Sequence, residues 1–177
     1  MKKISNSELG RPTPQQYEQL RKLPVVVILD NVRSLFNVGS FFRSCDAFMV
    51  ERIVLCGITG TPPDREIHKT ALGAENSVSW SYDKSTAEAA MRLKEEGYTL
   101  IAIEQVEGAA MLNDFACDGG VKYALVFGNE VSGVSQEVID LCHSAIEIPQ
   151  AGTKHSINVS VSGGIVLWHF FSALWPR

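Results

Sequence analysis

The chain has 177 residues, 45% of them hydrophobic and 20% charged, which is long enough to bury the core of one compact domain. This composition excludes a disordered polymer, and 14 Gly with 7 Pro excludes a collagen-like or linker-dominated chain. A net charge of -4 excludes a simple basic coat for nucleic acid. The charge is unevenly spread, however: residues 1–43 hold seven Lys/Arg against three Asp/Glu, and residues 44–177 hold nine against seventeen. Such a basic N-terminal portion either meets a polyanion on one face or is an ordinary excess on solvated helices. Cys45, Cys56, Cys117 and Cys142 form no Cys-x-x-Cys pair, so no metal site and no disulfide framework is predicted. Lys2 and Lys3 are not followed by an apolar stretch, so no secretory signal is read and a reduced, cytoplasmic protein is expected.

In chain order, residues 1–23 read as a short arm followed by a helix from Pro14, with Thr13 as its cap. Residues 24–177 read as one domain. Val25-Val26-Val27-Ile28-Leu29 is a continuous apolar run without polar alternation, the pattern of a strand buried on both faces of a parallel sheet. Similar runs occur at 52–56, 99–103, 123–127 and 145–148, and helical stretches at 38–48, 64–72, 84–96 and 135–143 lie between them. Ser85-Thr86-Ala87-Glu88 supplies a capping box for the 84–96 helix and Gly97 its stop. Strands alternating with helices predict an α/β fold with a largely parallel sheet. The segment Ile157–Trp175 is apolar but carries Asn158, Ser160, Ser162 and His169, so it is expected as a buried helix and not a membrane span. Its aromatic half (Trp168, Phe170, Phe171, Trp175) is either core or a subunit interface.

Open α/β sheets place ligands beyond the carboxyl ends of their strands, and three loops qualify. In the first, Asn37 and Gly39 bracket an expected helix start with free N–H groups, and Arg43 follows with donors suited to phosphate. Read without a ligand, Asn37 is a helix cap and Arg43 a surface cation. The second, Phe127-Gly128-Asn129-Glu130-Val131-Ser132-Gly133, is neither a P-loop nor a Gly-x-Gly-x-x-Gly turn. A nucleotide can lie against Gly128, with Glu130 bonding an amine or hydroxyl; otherwise this is a tight turn. The third runs from Ile148-Pro149-Gln150 to Ser156-Ile157-Asn158-Val159-Ser160. Ser156 suits a helix cap, but Asn158 at the mouth of a buried helix calls for a partner or a ligand.

Taken together and in this order, Asn37-x-Gly39-x-x-x-Arg43, Gly128-Asn129-Glu130-x-x-Gly133 and Ile148-Pro149 with Ser156-Ile157-Asn158-Val159-Ser160 resemble the three signature motifs of the TrmH family of SPOUT-class RNA ribose 2'-O-methyltransferases. The resemblance runs from about Pro24 to Trp175. It implies a single α/β domain with a C-terminal deep trefoil knot, a homodimer in which the partner helps complete the site, and S-adenosylmethionine as cofactor. It further implies that Gly128, Asn129, Gly133, Ile148 and Ile157 contact the cofactor, and that Asn37, Arg43, Glu130, Ser156 and Asn158 serve catalysis or hold the site together. The motif-one arginine is often cast as general base; a guanidinium stays charged in proteins, so gripping a phosphate and stabilising developing charge is the role expected for Arg43. The chain departs from better-known members in having only the arm before its first strand, and in carrying Gln150 and Ile157 where Met and Leu are usual. RNA is therefore expected on the protein's own surface, with Arg11, Arg21, Lys22, Arg33 and Lys154 as candidates, and tRNA is preferred over rRNA. The rival readings are a catalytically silent RNA- or cofactor-binding relative, and a Rossmann-type enzyme with a dinucleotide cofactor.

Overall fold

Along β1 (Leu23–Asp30), Val25, Val27 and Leu29 enter one hydrophobic cluster while Val26 and Ile28 enter another, and none of them exposes surface. In the computed structural model, which describes residues 1–176, this strand lies inside a seven-stranded sheet of order β3-β2-β1-β6-β4-β7-β5. Its partners are β2 (Val50–Cys56), β3 (Trp80–Asp83), β4 (Tyr98–Ile103), β5 (Ala110–Met111), β6 (Lys122–Phe127) and β7 (Ser144–Glu147), and every pairing is parallel. The apolar runs at 25–29, 52–56, 99–103, 123–127 and 145–148 thus correspond to β1, β2, β4, β6 and β7.

The two clusters correspond to the two faces of the sheet. One face is covered by α2 (Leu35–Ala47), α3 (Arg65–Ala71) and α6 (Val159–Leu174), which contribute Phe41, Phe42, Ile67, Leu167 and Phe170. The other is covered by α4 (Thr86–Glu95) and α5 (Gln136–Leu141), which contribute Ala89, Ala90, Leu93 and Val138. α1 (Pro14–Gln19) is capped at Thr13, as expected, and anchors the arm through buried Tyr17. The Phe41 ring of α2 packs directly on the α6 backbone at Gly163, where a Cβ would lie 2.3 Å from the ring. α6 contributes Val166, Leu167 and Phe170 to the core, and among the described residues no helix is long and apolar enough to cross a membrane.

Three differences from the sequence expectation bear on the site. α2 begins at Leu35 rather than 38, with Ser34 as its cap, so Asn37 and Gly39 lie inside the helix and not at its entrance. α6 begins at Val159 rather than 157, with Asn158 and not Ser156 as its cap. The strands β3 and β5 were not anticipated; β3 is an edge strand whose residues are mostly exposed, and β5 spans only Ala110–Met111.

Candidate active site

The carboxyl ends of β4, β6 and β7 open into a cleft of about 550 Å³. Gly128, Asn129, Glu130 and Gly133 line it from the loop after β6. Ile148, Ser156, Ile157 and Asn158 line it from the segment between β7 and α6. Eight of the ten singled-out residues therefore share one cavity; Asn37 and Arg43 are not on its wall.

Asn37 sits behind the wall as its buried node, 8% exposed. Its Nδ2 donates to Glu130 Oε1 at 2.8 Å, while its Oδ1 accepts from Asn158 Nδ2 and from Ser160 Oγ, both at 3.2 Å. One side chain on α2 thus joins the loop after β6 to the start of α6. Glu130 also accepts from the backbone N–H groups of Arg33 at 2.9 Å and Ser34 at 3.0 Å. The carboxylate therefore satisfies N–H groups at the entrance to α2, where a negative charge is favoured by the helix dipole. Partial burial works to raise the Glu130 pKa, but those N–H donors and the Asn37 amide outweigh it and hold the carboxyl below its ordinary value. Within this chain Glu130 is thus a long-range helix cap rather than a free acceptor awaiting a ligand amine. Asn158 has a similar double use: its Oδ1 caps α6 by accepting from Ser160 N at 2.9 Å and Val161 N at 3.3 Å, and its Nδ2 reaches Asn37.

The loop after β6 closes on itself. Asn129 N–H donates to Gly133 O at 3.0 Å and Gly133 N–H donates back to Asn129 O at 2.9 Å. A Cβ on Gly128 would stand 2.0 Å from the Gly133 carbonyl carbon, so glycine is required there by the loop's own packing. Asn129 Oδ1 accepts from Val131 N and Ser132 N, and its Nδ2 donates to Asn31 O at 2.7 Å.

Arg43 lies elsewhere. It is exposed on α2, in a groove shared with Ser40, Ser44, Phe48, Lys69 and Thr70, and contributes nothing to the cleft of its own chain. Six residues beyond Asn37 is about 240° around a helix axis, so the two side chains leave α2 in different directions. Of the proposed surface cations, Arg11, Arg21, Arg33 and Lys154 are exposed. Lys22 is instead engaged at the end of α1, donating to Tyr17 O at 2.6 Å with its ammonium 3.1 Å from the Tyr17 ring centroid.

Sequence reasoning missed the loop after β4. Glu104 and Gln105 line the cleft, as does Glu147 at the end of β7. Glu104 Oε2 accepts from Val134 N at 2.9 Å, and Gln105 Nε2 donates to His155 O at 3.0 Å. The signal was a charged and an amide side chain placed directly behind an apolar strand, in a loop of the same topological kind as the three considered. The carboxylates of Glu104, Glu130 and Glu147 line this cleft, and among the described residues no Lys or Arg does. All four cysteines are free, and burial pushes Cys142 up to about 11, so it offers no thiolate near neutral pH. Among the described residues no cluster of His, Cys, Asp or Glu is arranged to hold a metal ion.

Residues 24–168 match the SpoU rRNA methylase family. The chain is 31% identical over 162 residues to a tRNA (guanosine(18)-2'-O)-methyltransferase of Thermus thermophilus, covering 92% of this chain and 81% of that protein. It is also 31% identical over 150 residues to the 23S rRNA (guanosine-2'-O-)-methyltransferase RlmB of Neisseria meningitidis, covering 85% of this chain and 59% of that one. Among solved structures, an AdoMet-bound rRNA methyltransferase from Sinorhizobium meliloti superposes with a TM-score of 0.79 at 25% identity, over 90% of this chain and 61% of that chain. The chain thus spans about three fifths of the length of several relatives it matches.

Proposed function

Since the chain belongs to the SpoU rRNA methylase family, we propose that it transfers a methyl group from S-adenosylmethionine to a ribose 2'-oxygen of RNA. The observation that carries this reading is the Asn37–Glu130–Asn158 network, by which α2 ties together two distant segments that line one cleft.

The cleft suits the cofactor in two respects. Its volume of about 550 Å³ is that of a nucleoside-sized ligand site. Its lining carboxylates, with no Lys or Arg among the described residues beside them, favour a ligand of net positive charge such as a sulfonium amino acid. In this reading Gly128, Asn129, Gly133, Ile148 and Ile157 hold the cofactor. When bound, that group supplies an electrophilic methyl on sulfur. The protein's part is to position the ribose oxygen in line with that methyl and to ease loss of its proton. Glu130, Asn37 and Asn158 fix the frame, and Ser156 presents a hydroxyl at the rim. Arg43 grips a phosphate beside the target nucleotide and stabilises charge developing on the 2'-oxygen.

Because Arg43 is outside its own cleft, the reading needs a homodimer in which the partner's Arg43 completes the site. The outer face of α6 supports this. Val161, Ile165 and Trp168 are 52%, 39% and 57% exposed, an apolar stripe at helical spacing. Trp168 packs on Phe48, which also lines the Arg43 groove, so a second copy seated on that stripe would meet the groove as well. The reading extends to a single-domain fold with a C-terminal deep trefoil knot. In its support, β6 is inserted between β1 and β4, and β7 between β4 and β5, before α6 returns to α2. It also places the protein in the cytoplasm, where its substrate is. We take tRNA as the preferred substrate and rRNA as its alternative; the chain is 31% identical both to the Thermus tRNA enzyme and to the Neisseria rRNA enzyme.

The test is methyl transfer from radiolabelled S-adenosylmethionine to size-fractionated cellular RNA. Alkali-resistant 2'-O-methyl dinucleotides in the small-RNA fraction are expected, with about a thousandfold loss in Arg43→Ala and unchanged calorimetric binding of the cofactor. Label in large RNA moves the substrate to the ribosome, and absence of cofactor binding overturns the reading.

A further inference from the structure

The cleft has one wall with almost no internal bonding. Residues 149–157 adopt bends and irregular backbone, and nearly all are exposed. Gln150, His155, Ser156 and Ile157 of this segment nevertheless line the cavity. Among the described residues, one hydrogen bond ties the segment to the rest of the protein: Gln105 Nε2 to the His155 carbonyl at 3.0 Å. Among the described residues no second hydrogen bond and no ion pair holds the middle of the loop between β7 and the Asn158 cap.

The donor is itself firmly seated. Gln105 is the second residue after β4, and its backbone N–H donates to Glu104 Oε1 at 2.9 Å. The other oxygen of Glu104 accepts from Val134 N at 2.9 Å, on the opposite loop. That approach requires Gly133, where a Cβ would stand 2.2 Å from Glu104 Oε2. The pair Glu104-Gln105 therefore spans the cleft, with the acid locked to the rigid loop and the amide reaching the loose one.

We infer that Gln105 is a positioning residue: its amide latches the 149–157 loop over the cleft, so that Ser156 and Ile157 are held in place before the cofactor arrives. The inference rests on the reading of the cleft as a cofactor site, but the latch itself is measurable without it. A loop held by a single bond opens locally, and proteolysis of the open form tracks its population. Lys154, exposed within the loop, supplies a trypsin site beside the latched carbonyl.

Two variants isolate the bond. Gln105→Glu keeps the shape of the side chain but cannot donate to a carbonyl when ionised, and Gln105→Ala removes it. In cofactor-free protein both are expected to raise trypsin cleavage after Lys154 about fivefold, the population change that follows from losing one hydrogen bond. Amide hydrogen exchange should rise over 149–157 and stay at the wild-type rate over 128–134. The Kd and KM for S-adenosylmethionine should weaken by a similar factor, and saturating cofactor should restore protection. Wild-type cleavage and exchange in both variants overturn the latch. Faster cleavage with unchanged cofactor affinity overturns its positioning role. Faster cleavage in a protein whose wild type binds no S-adenosylmethionine leaves the latch standing and removes the cofactor reading instead.

Discussion

Residues 128–134 and residues 149–157 line the same cleft, yet they are held in opposite ways. The first is bonded to itself, to Asn31, to the entrance of α2 and to Glu104, with glycines where backbone meets backbone. The second is tied by one side-chain amide between its strand and its helix cap. The difference teaches how a binding site divides its tasks. A wall that sets geometry must be over-determined, because a displaced backbone group spoils many interactions at once. A wall that admits and releases a ligand must open at small free-energy cost, which a single hydrogen bond provides.

The comparison breaks most visibly at Gly128. In Gly128→Ala the new methyl meets the Gly133 carbonyl carbon at 2.0 Å and Val134 N at 2.1 Å, both backbone, so the loop must move. A loss of about 3 kcal/mol or more is expected, read as a fall in Tm of about 6–12 °C, with cofactor binding abolished. A variant of wild-type Tm would mean the loop is as pliable as its counterpart. The next largest effect is expected at Asn37→Asp, which replaces the amide donor to Glu130 with a second carboxylate at a site 8% exposed. About 2–3 kcal/mol should be lost near neutral pH. The new acid's pKa is raised in the folded state by burial and by Glu130, so its favourable contribution is present at low pH and lost as pH rises. The deficit against wild type should therefore widen from about pH 4 upward in thermal denaturation.

What was legible in the sequence follows the same divide. β1, β2, β4, β6 and β7 were readable because a strand buried on both faces must be apolar throughout, whereas β3 exposes Trp80 and Tyr82 at a sheet edge and lacks that mark. The cleft residues were readable as clusters of Gly, Asn and Ser behind those strands. What could not be read is any task set by a partner far along the chain. Ser34 caps α2 locally, but the acceptor for the N–H groups of Arg33 and Ser34 just ahead of the helix is Glu130, ninety-six residues from Ser34 in sequence. The role of Gln105 depends on the His155 carbonyl, and backbone carbonyls leave no trace in residue identity. The separation of Arg43 from Asn37, by contrast, was open to helix geometry and needed only the correct assumption that both lie on one helix.

Glu130→Gln sharpens the comparison on the rigid side with a smaller effect. The folded carboxyl is held below its ordinary value, so its contribution is present above that value and is lost as pH falls through the lowered one. The amide retains one acceptor oxygen but turns donors toward the N–H groups that the carboxylate satisfied. A cost of about 1 kcal/mol is expected at pH 7, shrinking as pH drops below about 4 because the wild type then loses the same interaction. A constant difference across that range would mean that the charge of Glu130 contributes nothing and only its shape matters.

The smallest effect is expected on the tethered wall, at Gly152. It shares its residue type with Gly128, but a Cβ there meets nothing within 4 Å and its backbone is not in the left-handed region. Gly152→Ala adds a methyl to open solvent and restricts the unfolded chain, so stability should change by no more than about 0.5 kcal/mol, in the stabilising direction if at all. Tm within about 2 °C of wild type and retained cofactor affinity are the expected results. The pair of glycine variants thus isolates wall from residue type, since the same substitution is made in both loops and only the surrounding bonding differs. A Gly152→Ala protein as damaged as Gly128→Ala would mean that the 149–157 loop is held by contacts across its whole length, and the single latch at Gln105 would lose its significance.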